Sequence, residues 1–304
     1  MLSYLHGFHA GNFADVHKHS ALVLILAHLQ KKTKPFCVID THAGAGWYDL
    51  SSLQAQKTGE WKGGIAAVQH ENQVPVAMVP YLDLIEDFIP ENRGFSDDSG
   101  AEGDVGPDGD TYQEPPLYYP GSPFIVQKML RENDHLALME LHPREYETLD
   151  RRIYHDRRVT LQKRDGYEGL VAMVPPAIRR GLVLMDPSYD VKQDYARAAR
   201  SIIAAHRRWA TATYMLWYPI LEDGFDHELH AMFREIPAAG GVLCSEIAAS
   251  HGGGKGRMLG SGLLIVNPPY QLDEQLADIG EWLRDVVHLP GPGVHFQDWL
   301  VKAQ

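Results

Sequence analysis

Apolar and polar positions change period several times along this chain. Residues 14–32 carry a helical period, with Leu22, Leu24, Ile25, Leu26 and Leu29 on the apolar positions. Lys31, Lys32 and Lys34 follow where cations complement a helix dipole, and Pro35 ends the helix. Residues 36–40 (Phe-Cys-Val-Ile-Asp) are then a short apolar run closed by an acid. They open into the glycine-rich turn Thr41-His42-Ala43-Gly44-Ala45-Gly46, the pattern of a buried parallel strand feeding a loop. Runs of the same kind recur at 135–140, 158–165, 181–186, 213–219, 241–246 and 262–267. Helical stretches at 123–131, 195–207 and 271–287 lie among them. Such βα alternation predicts an α/β, doubly wound, mostly parallel sheet of seven strands. Ligands of these sheets sit at the carboxyl ends of the strands, which here carry Asp40, Glu140, Asp165 and Asp186.

The alternation breaks between 47 and 117. Helical candidates at 64–69 and 80–88 precede residues 96–114, which hold many acids and no Lys or Arg. That composition is typical of a disordered surface loop. The reading is therefore one domain built from 1–46 and 118–304, interrupted by a helical insertion at 47–117 with a mobile acidic loop at about 96–116. The content of 44% hydrophobic and 22% charged residues excludes fibrous and wholly disordered classes. The 2 cysteines, Cys37 and Cys244, lie far apart and point to a reducing compartment. No run approaches the roughly 18 apolar residues of a membrane span, and the first residues lack a signal-peptide core. A soluble, cytoplasmic protein is expected. The net charge of −12 argues against a polyanion partner when taken whole. Basic pairs at Arg151/Arg152, Arg157/Arg158, Lys163/Arg164, Arg179/Arg180 and Arg207/Arg208 leave the question open.

Four segments carry candidate chemistry. Gly44 and Gly46 let backbone approach a ligand, but no phosphate-binding Lys follows and the third glycine of a dinucleotide fingerprint is missing. Glu140, at the tip of a later strand, suits the paired hydroxyls of a ribose. Asp165-Gly166 suits an adenine amino group, or is an ordinary Asp-Gly turn. Val183-Leu-Met-Asp186-Pro187-Ser188-Tyr189 is the sharpest element. The exocyclic amine of adenine is a poor nucleophile, and its methylation needs acceptors for both N–H groups. The Asp186 carboxylate and the Pro187 carbonyl supply two, and Tyr189 can stack on an extruded base. Asn267-Pro268-Pro269-Tyr270 competes for the same role. The N-terminal residues His9, Asp15, His17 and His19 are metal-ligand types without a recognised metal spacing. The glycine-rich 252–262 reads as a linker, or as a loop lying on a nucleic-acid backbone.

Together these pieces resemble the bacterial large-subunit ribosomal RNA adenine-N6 methyltransferases of the RlmJ type, class I enzymes that use S-adenosylmethionine. The resemblance rests on Met1-Leu-Ser-Tyr4, Phe8-His-Ala-Gly-Asn12, Ala14-Asp-Val16, Lys18-His19, the 40–46 loop, Tyr119-Pro-Gly-Ser-Pro123, Glu140-Leu-His-Pro143, Asp165-Gly166, Asp186-Pro187, Leu216-Trp-Tyr-Pro219 and Val266-Asn-Pro-Pro269. It covers nearly the whole chain outside about 71–117. It implies a class I methyltransferase (Rossmann-like) fold. It implies that His19, His42, Gly44, Gly46, Ser122, Glu140, Asp165, Gly166 and Asp186 bracket the cofactor. It makes Asp186 the catalytic acceptor, with Pro187 and Tyr189 beside it, and puts Tyr4, His6 and Lys18 on the RNA side. The late Asn-Pro-Pro segment becomes a strand-end turn. One departure is Ser188, where the family usually has a second proline. The acidic insertion is a second, being longer than the family leads one to expect, and it is expected away from the pocket.

The expected function is methyl transfer from S-adenosylmethionine to adenine N6 of 23S ribosomal RNA, releasing S-adenosylhomocysteine, with no metal and no obligate protein partner. The alternatives are a DNA adenine-N6 methyltransferase, a metal-dependent hydrolase built on the N-terminal histidines, and a non-catalytic adenosine-binding module.

Overall fold

A computed structural model describes residues 5–91, 118–153, 155–251 and 258–303. Tyr4, the acidic run and most of the 252–262 loop lie outside the described residues. The elements in chain order are α1 (Phe13–Gln30), β1 (Cys37–Asp40), β2 (Trp47–Asp49), α2 (Leu53–Thr58), α3 (Ile65–Gln69), α4 (Val79–Glu91), β3 (Tyr118–Pro120), α5 (Ser122–Met129), β4 (His135–Met139), α6 (Pro143–Ile153), β5 (Val159–Gln162), α7 (Gly166–Met173), β6 (Gly181–Met185), α8 (Gln193–Arg208), β7 (Thr213–Leu221), α9 (Asp226–Arg234), β8 (Val242–Ala249), β9 (Met258–Val266), α10 (Leu272–Val286) and β10 (Gly293–Val301).

Asn12 caps α1 by accepting the Asp15 N–H. Val16 to Leu26 is buried without interruption, because α1 is enclosed by α4, α5, α10 and β9. The main sheet has eight strands in the order β10-β8-β9-β7-β6-β1-β4-β5. From β5 to β7 neighbours are parallel. From β7 to β10 they are antiparallel. The sheet is thus mixed, with one strand more than the sequence pattern predicts. The extra strand is β10, an edge strand whose exposed face interrupts its apolar run with Asp298.

β2 and β3 form a separate antiparallel pair, with Trp47 opposite Pro120. They close the two ends of the 47–117 segment against each other. Three-residue strands carry too short a period to be read from sequence. Helices of that segment bury Ala55, Ile65, Val68, Tyr81 and Leu84 in the same apolar cluster as α1 and α10. A second cluster, under α7, α8 and α9, fills the other face of the sheet.

Candidate active site

β1 lies between β4 and β6, so its carboxyl end and theirs meet at one edge. Asp40 ends β1 fully buried. Ser122 Oγ donates to its Oδ2 at 2.7 Å and the His42 N–H to its Oδ1 at 3.2 Å. Burial outweighs those bonds and pushes its carboxyl up to about 7. The chain then turns through Gly44 and Gly46, both at positive φ. The Gly44 N–H donates to Glu140 Oε2 at 2.7 Å, and the His142 N–H to Glu140 Oε1 at 2.6 Å. Glu140 therefore ties the glycine turn to the loop after β4. Its carboxyl is raised by burial.

Asp165 caps α7, accepting the N–H groups of Tyr167 (3.0 Å) and Glu168 (3.2 Å) through Oδ1. Its Oδ2 accepts from Arg197 at 2.7 Å. Gly166 behind it touches the β1 loop so closely that a Cβ there would stand 2.0 Å from the Thr41 carbonyl. Asp186 follows β6 and pairs through Oδ2 with the Lys18 ammonium. Lys18 is buried and also reaches Asp15 Oδ1 at 2.8 Å. Burial alone would lower the Lys18 pKa, but the two carboxylates raise it. Asp15 Oδ2 also accepts from the Gly11 N–H at 2.9 Å and lies 2.9 Å from His6 Nε2. His19 is 2.7 Å from the Tyr119 hydroxyl, and burial pulls its pKa down to about 3. Burial likewise brings His42 to about 4.

These groups share one cavity of about 480 Å³. His6, Lys18, His19, His42, Gly44, Ser122, Glu140, Asp165, Gly166, Asp186 and Pro187 all line it. Among the described residues, two of the expected ones do not. Gly46 instead accepts the Gly121 N–H at 2.8 Å. The Tyr189 ring packs on Tyr195 and Trp217, with its hydroxyl donating to the Trp217 carbonyl at 2.7 Å. Lys18, which the resemblance put on the RNA side, is a buried ion-pair partner of Asp186 in the cavity wall. Sequence reasoning named Asp15 only as a metal-ligand type and a family-motif residue, and missed Glu145 and Arg197. Glu145 accepts the Ala45 N–H at 2.9 Å. Glu145 and Arg197 act through partners far away in the chain, and nothing local marks them.

The competing Asn267 sits at the other edge of the sheet. It follows β9, which runs antiparallel to β7, and its carbonyl accepts from Thr213 at the start of β7. Its side chain holds a turn, accepting the Gly240 N–H and donating to the carbonyls of Ala210 and Ala212. The N-terminal histidines do not gather into a ligand set among the described residues. His9 faces Glu60, His17 faces Ser261 and Ser245, and His19 faces Tyr119. The hydrolase alternative loses its metal centre on this geometry.

The donor set fits a cationic adenosine cofactor. Six carboxylates line the cavity (Glu140, Glu145, Asp165, Asp186, Asp190 and Asp194) against the fixed cations Lys18 and Arg197. That excess favours a sulfonium and an ammonium over a phosphate.

Comparisons with known proteins bear on the family of the chain. Residues 33–96 and 111–301 match the family described as ribosomal RNA large subunit methyltransferase D, RlmJ. Ribosomal RNA large subunit methyltransferase J of Escherichia coli K12 is 38% identical over 99% of each chain. Its namesake in Haemophilus influenzae is 36% identical over 99% of each. A solved structure from Legionella pneumophila superposes with a TM-score of 0.79 at 31% identity, covering 96% of this chain and 98% of that one.

Proposed function

The chain belongs to the RlmJ family of ribosomal RNA large subunit methyltransferases, and from that premise we propose that its cavity methylates the N6 amine of an adenine in 23S ribosomal RNA. The observation that carries this reading is the meeting of Asp186-Pro187 with the glycine turn and Glu140 in a single cavity. S-adenosylmethionine, the methyl donor of this reading, supplies an electrophilic methyl group and is released as S-adenosylhomocysteine. Glu140, Asp165, Ser122, His42 and the backbone at Gly44 would hold it. Glu140 is already oriented by two N–H donors and offers its remaining lone pairs to a ribose diol.

The adenine amine must give up conjugation with its ring to attack. Asp186 Oδ1 accepts one N–H, since Lys18 occupies Oδ2, and the Pro187 carbonyl accepts the other. Both acceptors stabilise the positive charge that grows on nitrogen as the new carbon–nitrogen bond forms. Water then removes the extra proton. The transfer is direct and needs no metal in this reading. His6 lines the cavity on the side assigned to the RNA. Ser188 leaves the Asp186 and Pro187 acceptors in place and makes the loop less rigid.

We also propose that 47–117 is an insertion that clamps the N-terminal segment. Thr58 donates to the Phe8 carbonyl, Glu60 meets His9 at 3.0 Å, and the Ile65 N–H donates to the Gly11 carbonyl at 2.8 Å. No helix among the described residues is long and apolar enough to cross a membrane, which suits an enzyme of cytoplasmic RNA.

The test is tritiated methyl transfer to 23S RNA and to duplex DNA, with wild type and Asp186→Asn. Label should enter the RNA, and Asp186→Asn should bind S-adenosylhomocysteine while losing most of the transfer. Label entering duplex DNA instead would favour the DNA-modifying alternative. Transfer by Asp186→Asn near the wild-type rate would sink the reading.

A further inference from the structure

A second cluster of chemically able side chains lies outside the catalytic cavity. His230 from α9 and Cys244 and Glu246 from β8 bring one ligand atom each to within 4.8 Å of one another. Cys244 and Glu246 are two residues apart on a strand and so share a face. His230 Nε2 stands 3.3 Å from Glu246 Oε1 and 3.9 Å from Cys244 Sγ. The Tyr218 hydroxyl, from β7, lies between them, 2.7 Å from His230 Nε2, 2.6 Å from Glu246 Oε1 and 3.5 Å from Cys244 Sγ.

The sheet is shaped to permit this. Tyr218 and Glu246 are both register partners of Gly262 on the intervening strand β9. A Cβ on Gly262 would stand 2.2 Å from the Tyr218 ring. The missing side chain lets the ring lie across β9 and reach Glu246. None of the four residues lines the catalytic cavity.

We propose that His230, Cys244 and Glu246 form a zinc-type metal site, with the Tyr218 oxygen beside its fourth position. A soft thiolate, an imidazole and a carboxylate are the mixed S, N, O set that zinc accepts. Zinc–ligand bonds of about 2.0 Å to N and O and 2.3 Å to S give tetrahedral edges of roughly 3.3 Å for N···O and 3.6 Å for N···S. The separations of 3.3 Å and 3.9 Å lie at or close to those edges. Cys244 binds as thiolate and its proton passes to solvent. The metal pins α9 to β8, on the far side of β7 from the strand that delivers Asp186, so its role is structural.

The experiment strips the full chain with a chelator and titrates it with Co²⁺. Wild type takes up about one Co²⁺ per chain with a thiolate-to-cobalt charge-transfer band, and stoichiometric Zn²⁺ erases the band. Zn²⁺ also raises the thermal midpoint. Cys244→Ser loses the band. Glu246→Gln keeps a weakened site, at least about tenfold poorer in affinity. Tyr218→Phe keeps the band, because it removes the hydroxyl but none of the three donors. No uptake by wild type, a band that survives Cys244→Ser, or a thermal midpoint indifferent to Zn²⁺ overturns the proposal. The cluster is then a hydrogen-bonded lock centred on Tyr218. Should Cys244→Ser fail to fold, uptake by wild type and Glu246→Gln decide alone.

Discussion

Asp15 is the residue on which the substrate side of the cavity turns. Its carboxylate holds the Lys18 ammonium with one oxygen and meets His6 and the Gly11 N–H with the other. Burial would raise this carboxyl, but His6 and the Lys18 ammonium outweigh it and keep it well below the usual range. Lys18 in turn fixes Asp186. Asp15 touches neither adenine nor cofactor in the proposed reaction, so it is a positioning residue. Asp15→Asn keeps the shape and removes the charge that anchors Lys18. The expected result is a fall of about 10²-fold in kcat, with the KM for S-adenosylmethionine little changed. Steady-state rates against both substrates check this. An equal fall in cofactor affinity would mean that the substitution merely loosens the fold. The same residue marks a limit of sequence reading. Asp186 is legible because an apolar strand leads straight to it. Asp15 stands in the first turn of α1 with its partners His6, Gly11 and Lys18 close by in the chain, and what stays hidden is that Lys18 then reaches Asp186 at the tip of β6.

At the scale of elements, the site depends on how closely α7 approaches the loop after β1. Gly166 is the first residue of α7, and Asp165 caps the helix from the preceding position. A Cβ at 166 would meet the Thr41 carbonyl oxygen at 2.0 Å and its carbon at 2.8 Å. Backbone atoms cannot swing aside as a side chain can, so Gly166→Ala must push α7 away from β1. Overpacking of this kind costs about 1–3 kcal/mol. The shift also moves Asp165 and Tyr167 off the cavity wall. Gly166→Ala should therefore lower the denaturation midpoint and weaken S-adenosylhomocysteine binding by at least about tenfold (about 1.4 kcal/mol). Calorimetric titration with that ligand measures the second effect, and unchanged affinity would refute it. The parallel strands were legible in the sequence as short runs rich in apolar residues, of which β1, β4 and β6 are buried almost throughout and end at an acid. The three-residue pair β2–β3 and the edge strand β10 were not, being too short or too polar on one face. The helices α6 and α9 escaped notice for a related reason. Each is a polar surface helix that buries few residues, Leu149 and Ile153 in the first, Leu229 and Phe233 among those of the second.

Across the whole molecule, the buried imidazoles set how stability responds to acid. Burial brings His17 and His19 down to about 3 and His42 to about 4. In the unfolded chain each returns to about 6.5. Between those values the unfolded state binds more protons than the folded one, so stability falls as pH drops below about 6.5. Asp40 acts in the opposite sense. Its carboxyl is near 7 when folded and near 3.9 when unfolded, so the folded state holds the extra proton and stability falls as pH rises across that interval. Glu140, raised by burial, sides with Asp40, and His28, His135 and His206, lowered by burial, side with the other imidazoles, so acidification from about pH 6 to pH 4.5 leaves a net loss. Each proton in excess contributes about 1.4 kcal/mol per pH unit. Urea midpoints for wild type should therefore drop over this range. His17→Asn should flatten the slope, because it removes one of these imidazoles from a site that faces Ser261 and Ser245 and lies outside the cavity lining. Asp40→Asn should steepen it, because a group that opposes the imidazoles is gone. The two variants pull the profile in opposite directions, so a common loss of packing in both cannot mimic the pattern. Midpoints independent of pH in wild type would mean that these imidazoles are not held neutral by burial.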